Sequence, residues 1–113
     1  MTNEQVKACR ARQVARLAEM MGGDAEGAAS LYRRCVRYSL RFMRWGEANC
    51  SGDYRKSPIK LKMHQHEREL LGNLGKRLND ELAKCGLEFE YPGLYPAIVS
   101  IDNHENELEL FYY

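Results

Sequence analysis

The sequence predicts an α+β fold: three helices followed by a small two- or three-stranded antiparallel sheet packed on them. Three observations predict it. Apolar residues recur every three or four positions as far as about residue 84, the period changes to two after Gly86, and helix-boundary residues stand at the expected ends. A chain of 113 residues fits one domain, 1–113, and can bury one real core without metal or disulfide help.

Thr2 with Gln5 is a capping-box start. Val6, Cys9, Gln13, Leu17 and Met20 then lie on one face of an amphipathic helix over about 3–21, and Gly22-Gly23 ends it. Asp24 is a good N-cap for a second helix over about 25–48, and Glu26 suits the positive end of its dipole. At about 100° per residue, Arg33, Arg34, Arg37, Arg41 and Arg44 share one narrow arc. Leu31, Tyr32, Cys35, Val36, Tyr38, Leu40, Phe42, Met43 and Trp45 fill the rest. This predicts a helix buried over most of its circumference, with one exposed basic stripe.

Residues 49–57, with Ser51-Gly52-Asp53, have the composition of a loop. Ser57-Pro58 opens a third helix over about 59–84, because proline at the first helical position loses no needed hydrogen bond. Its stripe is Leu61, Leu70, Leu71, Leu74, Leu78 and Leu82. Gly72 and Gly75 each weaken it by about 1 kcal/mol relative to alanine, and a close approach by another helix is one use for them. Lys84 and Gly86 stop it. Beyond Gly86, strands are predicted over about 87–91, 97–102 and 107–113. Their alternating apolar sets are Leu87/Phe89/Tyr91, Ala97/Val99/Ile101 and Leu108/Leu110/Tyr112, and Tyr112-Tyr113 read as last core contacts of the final strand, with an exposed aromatic patch for a partner as the alternative. The hairpin is too small to stand alone, so its apolar face must lie on the helices.

The composition, 44% hydrophobic and 29% charged, excludes a disordered chain. No apolar run reaches membrane-spanning length, and the first sixteen residues lack a signal-peptide core, so a cytoplasmic protein of the host bacterial cytosol is expected. The four cysteines are spread out and read as free thiols, mostly buried. The net charge of +1 hides an asymmetry: residues 1–62 carry thirteen Lys and Arg against six Asp and Glu, residues 63–113 four against ten. From Cys85 onward there are six acids and no base. Partners are therefore chosen by separate patches.

Arg33, Arg34, Arg37, Arg41 and Arg44 form the sharpest of these. Guanidinium makes bidentate contacts to carboxylate and phosphate, so the stripe suits an acidic protein surface or a nucleic-acid backbone. The bland alternative is internal pairing with Glu19, Glu47 or the acidic hairpin. The hairpin acids Glu88, Glu90, Asp102, Glu105, Glu107 and Glu109 can imitate a phosphate row for a basic groove, or simply keep the sheet solvated and prevent edge-to-edge association. Stripe against hairpin also gives a homodimer. Cys50, His64, His66 and Cys85 are residue types for zinc, yet their spacing matches no usual zinc pattern, and His64 and His66 point about 200° apart on a helix. Cys50 beside either histidine is the material of a thiol nucleophile, with no third orienting group apparent. No phosphate loop, dinucleotide fingerprint or H-E-x-x-H occurs. No catalytic residue, cofactor or metal is assigned.

The string Arg44-Trp45-Gly46-Glu47-Ala48-Asn49-Cys50-Ser51-Gly52-Asp53 resembles a W-x-E-x-x-C-x-G-D segment of small phage and prophage proteins without established activity. His66-Glu67-Arg68-Glu69 and Gly86-Leu87 occupy corresponding places further on, so the resemblance covers about 44–113. The hairpin connector here is acidic where many of those proteins have a basic, glycine-containing turn. Physically the motif reads as structural: Trp45 anchors the helix end, Glu47 and Asp53 satisfy loop donors, Gly52 permits a positive φ and Cys50 tucks inward. The resemblance implies a mobile-element accessory protein, non-enzymatic, that binds a host protein or ribonucleoprotein complex. Its concrete form is an inhibitor of host defence of the anti-CRISPR kind. A small nucleic-acid-binding protein using the arginine face, and a thiol- or zinc-dependent enzyme, are the alternatives.

Overall fold

The computed structural model describes residues 2–50, 58–90 and 96–110, with 46–50 and 58–64 described as helical backbone. It contains α1 (Asn3–Met20), α2 (Ala25–Cys50), α3 (Pro58–Ala83), β1 (Leu87–Glu90), β2 (Ala97–Ser100) and β3 (Glu107–Glu109). The arrangement is α+β, three helices and then an antiparallel meander in the order β1-β2-β3.

Local chemistry sets the boundaries. The capping box is present: Gln5 N donates to Thr2 Oγ1 (3.2 Å), and Thr2 N donates to Gln5 Oε1 (2.8 Å). Asp24 accepts from Gly27 N at 2.9 Å and caps α2. α3 ends one turn before Gly86, whose φ of +73° suits a residue without a Cβ. Its carbonyl accepts from Ile101 N at 2.9 Å, so the turn out of the helix already begins the sheet.

The core is the meeting of one face from each element. Leu17 of α1, Leu31, Tyr32 and Cys35 of α2, Leu78 and Leu82 of α3, and Leu87, Ile98, Leu108 and Leu110 of the sheet region form one buried cluster. Burying one such leucine contributes roughly 1.5–3 kcal/mol, so the cluster outweighs any surface pair in the molecule. α2 and α3 approach closely at Gly75, where a Cβ would lie 2.7 Å from Tyr38 Oη. Gly72, by contrast, faces open space.

Two amides close the sheet onto the helices. Register places the outward groups of Phe89 on β1 and of Glu109 on β3 at the two edges of the sheet. Asn79 of α3 accepts from Phe89 N (3.0 Å), and Gln13 of α1 donates from Nε2 to the Glu109 carbonyl (2.8 Å). The other end of the Gln13 amide accepts from Tyr32 Oη at 2.5 Å. Gln13 is 6% exposed and yet satisfied at both ends, a polar knot joining α1, α2 and β3.

The structure corrects five expectations. α2 runs through Cys50, so Asn49 and Cys50 are helical and not loop. Phe42 and Met43 are 37% and 40% exposed, so the second half of α2 is less covered than its apolar arc suggests. α2 has 26 residues against 18 for α1 and extends past it. On β2, Ile98 joins the cluster that faces the helices; Ala97 and Val99 are buried as well (0% and 1% exposed) but pair with Glu109 and Glu107 and so lie on the opposite face, and Ile101 is 43% exposed. Three consecutive apolar residues made the face ambiguous, and pairing resolved it. Cys85 is exposed, whereas Cys35 is buried and its thiol is pushed up to about 12 by burial; Cys9, Cys35 and Cys85 are free. Within the described residues the strands are also shorter than expected. Gly52, Asp53 and Tyr112-Tyr113 lie outside the described residues.

Gln13→Leu is expected to destabilise the fold by about 1–3 kcal/mol in urea denaturation, because it strands the Tyr32 hydroxyl and the Glu109 carbonyl. Combining it with Tyr32→Phe is expected to cost less than the two single changes added together.

Candidate functional site: an arginine-lined groove between α2 and α3

Three residues of the arginine stripe, Arg34, Arg37 and Arg41, lie along the seam with α3, while Arg33 and Arg44 are exposed outside it. Arg34, Arg37, Tyr38 and Arg41 form one wall of a groove of about 450 Å³, and Leu74, Arg77, Leu78 and Glu81 form the other. Four guanidiniums thus surround an apolar floor. Two are held by α3 carboxylates. Arg34 Nη1 meets Glu81 Oε2 at 2.5 Å, and Arg41 Nη2 meets Glu67 Oε1 at 3.0 Å and Oε2 at 3.3 Å. Among the described residues Arg33, Arg37, Arg44 and Arg77 make no ion pair.

The stripe is therefore partly neutralised, and by carboxylates other than those the sequence nominated. Glu19 pairs instead with Arg16 at 3.2 Å, and the only ion-pair partner of the hairpin acids among the described residues is His104. The side chain of Glu47 is outside the described part. Magnitudes decide what the two pairs mean. All four partners keep about 34–44% of their side chains exposed, and such pairs are worth about 0–1 kcal/mol. An incoming carboxylate or phosphate can exchange with Glu67 or Glu81 at little cost. Four guanidiniums against two carboxylates leave the groove cationic.

The groove continues into a hollow of about 220 Å³ lined by Tyr38, Phe42, Trp45, Arg68, Leu71 and Gly72. Tyr38, Phe42 and Trp45 follow one another with ring centroids 6.1 and 6.0 Å apart. Trp45 thus lies at the α2–α3 seam, partly buried. Sequence reasoning missed Arg77 and Arg68, which belong to the site through α3. The available signal was spacing: Arg77 stands three residues after Leu74 and four before Glu81, on the flank that meets α2.

The acidic hairpin resolves into a face and a connector. Glu88 pairs with Val99, which pairs with Glu107; Glu90 pairs with Ala97, which pairs with Glu109. These four glutamates therefore share the sheet face away from the helices. Asp102 and Glu105 are exposed in the connector with His104. His104 lies between two of the carboxylates, Nδ1 at 3.5 Å from Glu90 and Nε2 at 3.8 Å from Glu88. Glu107 and Glu109 share a shallow hollow with Arg12 and Arg16 of α1. The arginine groove and this face are separate patches.

The zinc set does not assemble as composed. His66 is on α3 and exposed, and Cys85 follows the far end of that helix, about 25 Å along it. One ion cannot bridge them. The side chains of Cys50 and His64 are outside the described part. A different group, Glu88, Glu90 and His104, brings ligand atoms within 4.8 Å of one another on the surface. No helix among the described residues is long and apolar enough to cross a membrane.

The proton on Glu90 is held more tightly than on an ordinary glutamate, through a hydrogen bond with Glu88 first, then desolvation and the charge of Glu88, with His104 opposing. A carboxyl whose folded pKa is raised favours the folded state most when protonated. Its contribution falls as pH rises from the ordinary glutamate value through the folded one. Glu90→Gln is accordingly expected to raise thermal stability at neutral pH, with the gain shrinking in acid; melting curves across pH check this. Compared with protein families, curated proteins and solved structures, the chain matches none.

Proposed function

We propose that this chain is a non-enzymatic binding protein whose α2–α3 groove docks on an acidic surface of a larger macromolecule. The observation that carries the reading is four guanidiniums around an apolar floor, two of them without an ion partner among the described residues and two in weak, exchangeable pairs. Arginines set beside buried apolar surface and an aromatic row are the residue types that dominate protein interfaces. The resemblance of residues 44–113 to phage proteins supplies the class of target. That target is a host protein or ribonucleoprotein complex, and inhibition of host defence of the anti-CRISPR kind is the concrete outcome. The acidic sheet face is a second contact surface for basic parts of the same complex.

Nucleic acid is the second reading, and one observation favours it. Phe42 and Trp45 stand beside the arginines, and aromatic rings next to guanidiniums are how single strands are held by stacking and charge. Glu67 and Glu81 weigh against it, because they sit where phosphates would run.

The test is functional. Expressed in a bacterium with active CRISPR immunity, the chain is expected to restore plaquing of a targeted phage, and Arg37→Glu with Arg41→Glu is expected to abolish that while leaving the melting temperature near wild type. Binding to the purified defence complex should weaken by about 2–5 kcal/mol, thirtyfold or more, with that pair of reversals. No effect on immunity removes the inhibitor reading. Tight binding to an oligothymidine probe that falls steeply with salt would move the assignment to nucleic acid.

A further inference from the structure

We propose that the solvent-facing ridge of α3 is a self-association surface, on which a second copy of this chain packs antiparallel across a two-fold axis. The basis is a charge pattern complementary to itself. Lys76-Arg77-Leu78-Asn79-Asp80-Glu81 places two bases and two acids symmetrically about the Leu78–Asn79 peptide. Two such helices, antiparallel and centred on that peptide, set Arg77 opposite Asp80 and Asn73 opposite Lys84 along the seam. Each contact occurs twice, and no like charges meet among these pairs. That reciprocity is the property of a closed, isologous interface.

The structure leaves the ridge ready for it. Asn73, Lys76, Arg77, Asp80 and Lys84 are all exposed. Lys76, Arg77 and Asp80 make no ion pair among the described residues, although Asp80 stands three residues after Arg77 and four after Lys76. These spacings would permit pairs within the helix, so the charges are unspent. Glu81 gives one oxygen to Arg34 and keeps 42% of its side chain exposed.

The ridge runs between two hollows of opposite charge. Arg77 borders the arginine groove. Asp80, about 60° away around the helix, borders a hollow of about 360 Å³ on the other side, lined also by Asn79, Ala83, Leu87, Glu88, Glu90 and Ile101. Three carboxylates over an apolar floor suit a guanidinium with its aliphatic stem laid flat. Ile101, one of three large apolar side chains exposed among the described residues, lies on that floor. A two-fold between antiparallel helices sets each flank against the same flank of the partner, so Arg77 meets Asp80 of the other copy at the seam between the ridges. A foreign partner would have no need of a pattern symmetric about its own centre. The ridge shares Arg77 and Glu81 with the α3 wall of the groove but not its α2 wall, so substitutions on α2 separate docking from pairing.

Sedimentation velocity over a concentration series at low and high salt reads the outcome. Wild type is expected to approach twice the 13.1 kDa chain mass at low salt and to dissociate at high salt. Arg77→Glu alone and Asp80→Arg alone should each weaken pairing at least tenfold, since each sets like charges against one another twice. An equimolar mixture of the two variants should recover the dimer, because both contacts are then between opposite charges. Arg37→Glu with Arg41→Glu should leave pairing intact. A wild type that stays at single-chain mass throughout, single reversals that leave the dimer unchanged, or a mixture that fails to recover it, each overturns the proposal. Circular dichroism of the two variants, both at exposed positions, establishes that they are folded.

Discussion

A sheet of three short strands has one face to bury and two edges to satisfy, and the rest of this molecule is arranged around that need. The inner face takes Leu87, Ile98 and Leu108 against leucines of all three helices. The edges are met by side-chain amides, Asn79 on β1 and Gln13 on β3. An unpaired strand edge is a template for association with another chain, and covering it with a helix is a standard remedy. Here the remedy also fixes where the helices lie. Gln13 bonds Tyr32 as well as Glu109, so α1 cannot slide along α2 without exposing a buried hydroxyl.

That division leaves α2 with two distinct halves. Its first half, from Ala28 to Cys35, is locked into the core. Its second half meets α3 across Gly75 and carries the aromatic row, with Phe42 and Met43 still reaching solvent. Arg34, Arg37 and Arg41 border both halves on the α3 side. Stability and recognition therefore draw on different residues of one helix. Neither Arg37 nor Arg41 belongs to the buried cluster.

Much of this was legible in the sequence because it is local. The Thr2–Gln5 box, the Asp24 cap and the Gly86 stop act within three or four residues, and the periods of 3.6 and 2 are properties of single elements. What escaped was set by pairing between elements. Ala97, Ile98 and Val99 are all apolar, so only the register with Glu107 and Glu109 shows that Ile98 faces the helices. The partners of Arg34 and Arg41 are on α3, more than twenty residues away, and no pattern within α2 points to Glu81 or Glu67. Arg77 escaped for the same reason: a site between two helices is read in full only when both walls are placed. The end of α2 was misjudged because Asn49 is a residue that favours turns, and its neighbours outweighed that preference.

The charge layout follows from the same geometry. A chain with nearly balanced totals can still present strong local fields when its acids and bases occupy different elements. Here α2 supplies the bases, the sheet supplies acids with no base after Cys85, and α3 lies between and carries both. α3 neutralises two arginines of α2 through Glu67 and Glu81, and it contributes Asp80 to the acidic side. Were its own Arg77 paired within the helix, the cationic groove would lose one of its two unpaired guanidiniums. The three-residue step from Arg77 to Asp80 turns about 60° around the axis, enough to place the two charges on different flanks. Separation on one helix, rather than total charge, is what lets so small a chain offer a basic groove and an acidic hollow side by side.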